Sequence, residues 1–204
     1  MSWIDEVKAM TLIEAIIAET MPNCPDPKGW AMAFGDGCER FGITDRDEIA
    51  RLLANVGHES SDLTRLEENL SYSAERIVQV WQSRFTTVAQ ARPYARNPEG
   101  LANKVYSDRM GNTRPGDGWL YRGRGPVQLT GRANYESCAD ATGIPCDTVP
   151  DCLLEKNAGA LSACWYWSSR VRSGSFETAV RSVNGGLNGW QDRLARYERA
   201  KALV

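Results

Sequence analysis

Two glutamates nine residues apart, Glu59 and Glu68, stand in the segment His58-Glu59-Ser60-Ser61-Asp62-Leu63-Thr64-Arg65-Leu66-Glu67-Glu68-Asn69-Leu70. A second landmark follows, Tyr121-Arg122-Gly123-Arg124-Gly125-Pro126-Val127-Gln128-Leu129-Thr130-Gly131. Two carboxyl groups facing a cleft are the minimum equipment for breaking a glycosidic bond. One protonates the departing oxygen while the other activates a water. Glu59 follows the apolar positions Leu53 and Val56, and apolar walls let a carboxyl keep its proton longer, as a general acid requires. Glu68, in a loop near Arg65 and Asn69, suits a hydrated base. The glycines of the second segment permit close backbone approach to a ligand. An extended stretch through Val127–Leu129 would turn Gln128 and Thr130 to one side, where they could meet sugar hydroxyls and an ordered water. A third segment, Asn184-Gly185-Gly186-Leu187-Asn188-Gly189, reads as a turn between helices, with Asn184 as a hydrogen-bonding group in the cleft.

The elements that must position these groups are helical. Ile4, Val7, Ile13, Ile16 and Ile17 give one apolar face over residues 4–21, which Pro22, Pro25 and Pro27 end. A second helix is expected over 29–41, with Ala31, Phe34, Cys38 and Phe41 inward. Thr44-Asp45-Arg46-Asp47 resembles a capping box and opens a helix whose Ile49, Leu52, Leu53 and Val56 form a clean stripe. That helix carries His58 and Glu59 but cannot reach Glu68. Nine helical residues would separate the carboxyls by roughly 13.5 Å and turn them about 180° apart. The chain must therefore stop at Ser60-Ser61-Asp62 and fold back. Ser73 is the expected N-cap of the next helix, with Glu75 in its first turn and Ile77, Val78 and Trp81 buried. Residues 92–118 read as loop with a short helix at Leu101–Tyr106. Residues 131–142, 155–169, 175–183 and 189–203 again read as helices. The expectation is a mainly α chain of one domain over residues 1–204 with two lobes.

Composition excludes several classes. The chain has 204 residues, 42% hydrophobic and 25% charged. No Gly-Lys-Ser/Thr follows the glycine-rich segment, which argues against nucleotide binding. The six cysteines form no CxxC pair and His58 is the only histidine, so no metal site is expected. Residues 1–6 lack the basic and apolar run of a signal peptide, and no apolar stretch approaches the ~18 residues of a membrane span. Reduced thiols are the corresponding expectation, with a Cys138–Cys146 or Cys146–Cys152 bridge as the alternative. The net charge of −2 conceals blocks of −8 over residues 1–83 and +6 over 84–135. The basic block could attract an acidic polymer, or its charges could be paired or solvated.

These segments together resemble family 19 glycoside hydrolases, the family of plant-type chitinases and phage endolysins, over about residues 30–204. The carriers are His58-Glu59-Ser60, Glu68-Asn69-Leu70-Ser71-Tyr72-Ser73-Ala74-Glu75-Arg76, the central segment Tyr121–Gly131 with its continuation Arg132-Ala133-Asn134-Tyr135, and Asn184–Gly189. The resemblance implies a lysozyme-like two-lobed fold with a central cleft, at most a small β element, and an inverting mechanism. It makes Glu59 the acid, Glu68 the base and Thr130 a holder of the attacking water. Gln128, Asn134, Tyr121 and Asn184 would line sugar subsites, and Arg193 matches an arginine near the acid. Ser60-Ser61 departs from the Ser/Thr-Gly-Gly that often follows the first glutamate. The short spacing of the glutamates resembles the phage branch, whereas plant chitinases carry a longer insertion there. The implied function is an endolysin cutting the β-1,4 glycan strands of peptidoglycan, held in the host cytoplasm until released to the wall. It would need no cofactor and act as a monomer, without nucleic acid or membrane insertion. The alternatives are a chitinase and a catalytically dead wall-binding protein.

Overall fold

The stripe Ile49, Leu52, Leu53 and Val56 lies on a helix spanning Arg46–Glu59, and all four side chains are buried. In chain order the helices are α1 (Trp3–Thr20), α2 (Pro27–Arg40), α3 (Arg46–Glu59), α4 (Ala74–Val80), α5 (Val88–Ala91), α6 (Pro98–Tyr106), α7 (Asp117–Leu120), α8 (Arg132–Thr142), α9 (Lys156–Arg170), α10 (Phe176–Asn184) and α11 (Trp190–Lys201). Short 3-10 turns lie at Arg92–Tyr94 and Pro150–Leu154. The computed structural model describes residues 3–171 and 174–204, with side chains from Met10 onward. Ile4 and Val7, expected on the first apolar face, lie outside the described side chains. Ile13, Ile16 and Ile17 are buried as that face requires.

Local sequence sets the boundaries. Asp26 caps α2, accepting from the Gly29 amide with Pro27 in the first turn, where its missing N–H costs nothing. Asp45, not Thr44, caps α3, and its carboxylate accepts from the Glu48 amide. The expected capping box is therefore displaced by one residue. Ser73 caps α4 by accepting from the Arg76 amide. Ile77 is buried, while Val78 and Trp81 are only partly so.

Three apolar clusters organise the molecule. The largest joins α1, α2, α3, α9, α10 and α11 around Ile16, Trp30, Phe34, Leu53, Trp167 and Val180. Each large side chain removed from water there contributes about 1.5–3 kcal/mol. The second holds Leu70, Ile77, Phe85, Leu101 and Val105, from α4 to α6. The third packs Tyr121, Leu129, Tyr135, Cys138 and Trp165 beneath the central segment. This is a mainly α, lysozyme-like, two-lobed fold. Its only β pairing among the described residues is a pair of antiparallel bridges, Glu67 with Arg124 and Arg124 with Leu129. All six thiols are free, and the Cys38 and Cys164 sulfurs lie 3.9 Å apart in the main core.

The basic residues of the central segment and its continuation are internally paired. Arg122 pairs with Glu67, Arg124 with Asp151 and Arg132 with Asp117. The Arg132 guanidinium holds the Asp117 carboxyl below its ordinary value. The basic residues of the motif thus brace it, and an acidic polymer would find them already neutralised.

Candidate active site

Glu59 is the last residue of α3. The chain leaves that helix through three consecutive left-handed residues, Ser61, Asp62 and Leu63, with φ of 49°, 64° and 62°. Two of these occupy the glycine positions of the Ser/Thr-Gly-Gly pattern, so the turn is kept without the glycines. Ser60 is fully buried and stitches the reversal. Its hydroxyl donates to the Val56 carbonyl at 2.6 Å and accepts from the Leu63 amide at 2.8 Å. Asp62 is pinned by Arg196 at 2.5 Å and Asn23 at 2.9 Å, and Leu63 is in the core. Ser61 is exposed and its hydroxyl makes no such tie. A left-handed L-residue costs about 1–2 kcal/mol, of which glycine's greater unfolded freedom offsets about 0.5–1. Ser61→Gly is therefore expected to raise the melting temperature by about 2 °C. A thermal melt that falls instead would show that the turn carries no such strain.

Glu59 is positioned by charge, which corrects the expectation of apolar walls. Leu53 and Val56 face the core, whereas an Arg193 Nη2 donates to the Glu59 carboxylate. Arg193 is 2% exposed. Its other nitrogens donate to Asn55 Oδ1 at 2.8 Å and the Asn188 carbonyl at 3.2 Å. Arg193, expected near the first glutamate, lines the cleft and spends its donors on protein. It is a positioning residue for Glu59.

Glu68 belongs to the other lobe. It precedes Leu70 of the second cluster, and its amide donates to the Gly123 carbonyl at 3.0 Å. Its Oε2 accepts from the Gly123 amide at 3.2 Å and its Oε1 from the Tyr106 hydroxyl at 2.5 Å. These partners replace the expected Asn69 and Arg65. Glu67, its neighbour, is turned to Arg122. A Cβ on Gly123 would sit 3.0 Å from Gln128 Oε1 and 3.3 Å from Glu68 Oε2, so the glycine lets these two side chains converge.

Tyr106 was not legible as a site residue. It ends α6, and its carbonyl accepts from Asn112 Nδ2 at 3.1 Å. Asn112 Oδ1 in turn accepts from the Arg132 amide at 2.8 Å. Burial, with the Glu68 carboxylate beside it, pushes the Tyr106 phenol well above its ordinary value, so it remains a donor. Tyr106→Phe is expected to lower kcat roughly 10- to 100-fold through a misaimed Glu68, with KM little changed. A larger change in KM than in kcat would make Tyr106 a substrate contact instead.

The central segment is a tight hairpin and not the expected extended stretch. Arg124 and Leu129 exchange both backbone hydrogen bonds, and Gln128 has a left-handed φ of 51°. Gln128 Nε2 donates to the Gly125 carbonyl at 3.1 Å. The Thr130 hydroxyl donates to the Gln128 carbonyl at 2.9 Å, which leaves its lone pairs to accept from a water. Asn134 is a strut, with Nδ2 donating to the Thr130 carbonyl at 2.7 Å and Oδ1 accepting from Arg170 at 2.6 Å. Asn184 donates to the carbonyls of Gly186 and Asn188 and so closes its own loop. Tyr121 is corrected outright. It is 2% exposed, packs on Tyr135, and donates to the Asp147 carbonyl at 2.9 Å. It supports the motif from below and is not among the residues that line the cleft.

Glu59, Gln128, Thr130, Asn134, Asn184 and Arg193 surround one cleft of about 500 Å³. The lone histidine, His58, shares that rim, with Nδ1 2.7 Å from the Asp192 carboxylate. Its ring fits only because Gly189, left-handed at φ 72°, has no Cβ to strike it. Glu59 and the Thr130 hydroxyl thus lie on the cleft wall, whereas Glu68, on the other lobe beside Gly123 and Tyr106, is not among the residues that line this cleft.

No family profile matches the chain. A glycosyl hydrolase family 19 domain-containing protein of Haemophilus influenzae is 37% identical over 175 residues, covering 83% of this chain and 86% of that protein. An endochitinase of Arabidopsis thaliana is 26% identical over 193 residues, covering 90% of this chain and 57% of that protein. The chain thus spans little more than half the length of this plant relative. Chitinase C from Streptomyces griseus superposes with a TM-score of 0.63 at 22% identity, over 94% of this chain and 92% of that one. A bacterial family 19 chitinase superposes with a TM-score of 0.62 at 24% identity, over 94% of each. The two solved structures share the fold, and the Haemophilus relative carries the sequence across most of both chains: the protein belongs to glycosyl hydrolase family 19 and is a glycoside hydrolase.

Proposed function

We propose that the protein is an endolysin that hydrolyses the β-1,4 glycan bonds of bacterial peptidoglycan, as a muramidase, with inversion at the anomeric carbon. Glu59 protonates the departing oxygen, Glu68 takes a proton from the attacking water, and Thr130 accepts the water's other hydrogen. The observation that supports the inverting reading is the Thr130 hydroxyl on the cleft wall, which donates to the Gln128 carbonyl and so keeps its lone pairs for a water. A base on water needs that partner. A nucleophile attacking the sugar directly does not.

The peptidoglycan reading is supported by the short path between the glutamates. Residues 60–67 form a turn held by Arg196, Asn23 and Arg122, and none of them lines the cleft. No long insertion between the carboxyls overhangs the site, which suits a strand bearing peptide substituents. Residence in the host cytoplasm before release to the wall belongs to the same proposal.

The named chitinases among the relatives favour a second reading, a chitinase cutting N-acetylglucosamine polymers. The same carboxyls would serve it. Mass spectrometry of reducing ends released from purified peptidoglycan decides between them, and the endolysin reading predicts new N-acetylmuramic acid ends. Intact peptidoglycan alongside cleaved chito-oligomers would overturn it. Proton NMR of the first minutes of oligomer cleavage should show the α-anomer. Initial β-product would reverse the roles given to Glu68 and Thr130.

A further inference from the structure

Among the described residues the cleft is lined by two guanidinium groups, and one of them, Arg193, is neutralised. Arg193 is paired with Glu59. Arg170, the last residue of α9, has no carboxylate partner among the described residues, although it lines the same cleft and is exposed. An arginine at a helix C-terminus is commonly a solvated charge facing the last carbonyls. Arg170 is held differently. Its Nη2 donates to Asn134 Oδ1 at 2.6 Å, 36 residues away in sequence, and its guanidinium carbon lies 4.8 Å from the centre of the Tyr166 ring. Both of those residues line the cleft as well. The side chain is therefore fixed between two walls instead of sweeping through solvent.

A guanidinium has five N–H donors in a planar fork. Asn134 takes one, and the edge left over is suited to a carboxylate, which it can meet with two parallel hydrogen bonds. An unsubstituted N-acetylglucosamine chain offers only hydroxyls and neutral amides. A strand whose sugars carry acidic substituents offers the matching group. We propose that Arg170 is a specificity-determining residue that takes a carboxylate carried on a substituent of the bound glycan, so that the cleft prefers acidic over neutral β-1,4 strands. The proposal deepens the peptidoglycan reading and rests on it for the identity of the natural strand. The carboxylate site itself can be tested without it.

The test compares two soluble polymers with the same backbone, glycol chitin, which is neutral, and carboxymethyl chitin, which is anionic. The readout is the ratio of KM on the neutral polymer to KM on the anionic one, at low and at high salt. Wild-type protein should favour the anionic polymer, and the preference should shrink as salt screens it. Arg170→Gln should lower the ratio about tenfold, the scale of one charge-assisted hydrogen bond at a partly exposed site. Arg170→Lys should retain part of the preference, since the charge survives and the fork does not. A ratio equal in wild type and Arg170→Gln overturns the proposal, whether both KM values move together or neither moves. The first pattern would make Arg170 a brace for Asn134, and the second a solvated helix-end charge. Wild-type protein that shows the preference yet releases no ends from peptidoglycan would overturn the peptidoglycan reading and leave the carboxylate site standing.

Discussion

Replacing Glu59 by glutamine is expected to lower turnover by about 10²- to 10⁴-fold while leaving the fold intact. A positioned general acid contributes a factor of that size, and an amide has no proton to give to a departing sugar oxygen. The substitution preserves shape and keeps a carbonyl oxygen where Arg193 Nη2 now donates. The ion pair becomes a hydrogen bond between a cation and a neutral acceptor. Because the Glu59 side chain is 23% exposed, water screens part of the lost attraction. The stability loss should stay near 1 kcal/mol. Circular dichroism melts report the fold, and reducing-end release from peptidoglycan or glycol chitin reports the chemistry. A variant that melts like wild type and cuts as fast would remove Glu59 from the mechanism. A variant that fails to fold would leave the matter to Glu59→Asp, which keeps the acid but shortens its reach and should lose rate with the charge retained.

The scaffold around these groups was legible where one residue type fulfils one local requirement. The α3 stripe, the Ser73 cap and the helix stop before Glu68 follow from period, hydrogen-bonding capacity and helix geometry. Positions that depend on pairs distant in sequence were not legible. Tyr106 reads as an ordinary aromatic at the end of a short helix, and only the fold brings it 2.5 Å from Glu68. Tyr121 sits in the motif that binds sugar by resemblance, yet packing turns it into the core. One signal was present and unused. Asn55 stands inside the apolar stripe of α3, and a buried amide there demands a polar partner from another element. That partner is Arg193. The turn after Glu59 shows the converse case. It lacks the glycines of the family pattern, yet the ties of Ser60 and Asp62 hold the left-handed conformation that glycine would adopt more readily.

Arg193 joins the stability of the fold to the aim of the acid, so its removal should damage both. One buried side chain on α11 satisfies the Asn55 amide oxygen, the Asn188 carbonyl and the Glu59 carboxylate. Arg193→Met fills much of the same volume but leaves the Asn55 amide oxygen and the Glu59 carboxylate without that donor, while the Asn188 carbonyl keeps only Asn184. Breaking a buried pair from one side typically costs about 3–5 kcal/mol. Partial exposure of Glu59 argues for the lower end, and about 3 kcal/mol would lower the melting temperature of a chain this size by roughly 6–12 °C. Activity measured well below the melting point should still fall at least tenfold, because Glu59 would lose its only side-chain anchor among the described residues and the Asn184–Gly189 loop would lose its link through Arg193 to Asn55 of α3. Arg193→Lys separates the two effects. A single ammonium retains charge near Glu59 but cannot span three acceptors, so it should recover more of the stability than of kcat. The decisive measurement is a cycle with Glu59→Gln. If Arg193 acts through Glu59, the double variant Glu59→Gln, Arg193→Met should be little slower than Glu59→Gln alone. A further drop equal to the one Arg193→Met causes in wild type would mean that Arg193 serves the reaction through another group, and the role assigned to the Glu59–Arg193 pair would fail.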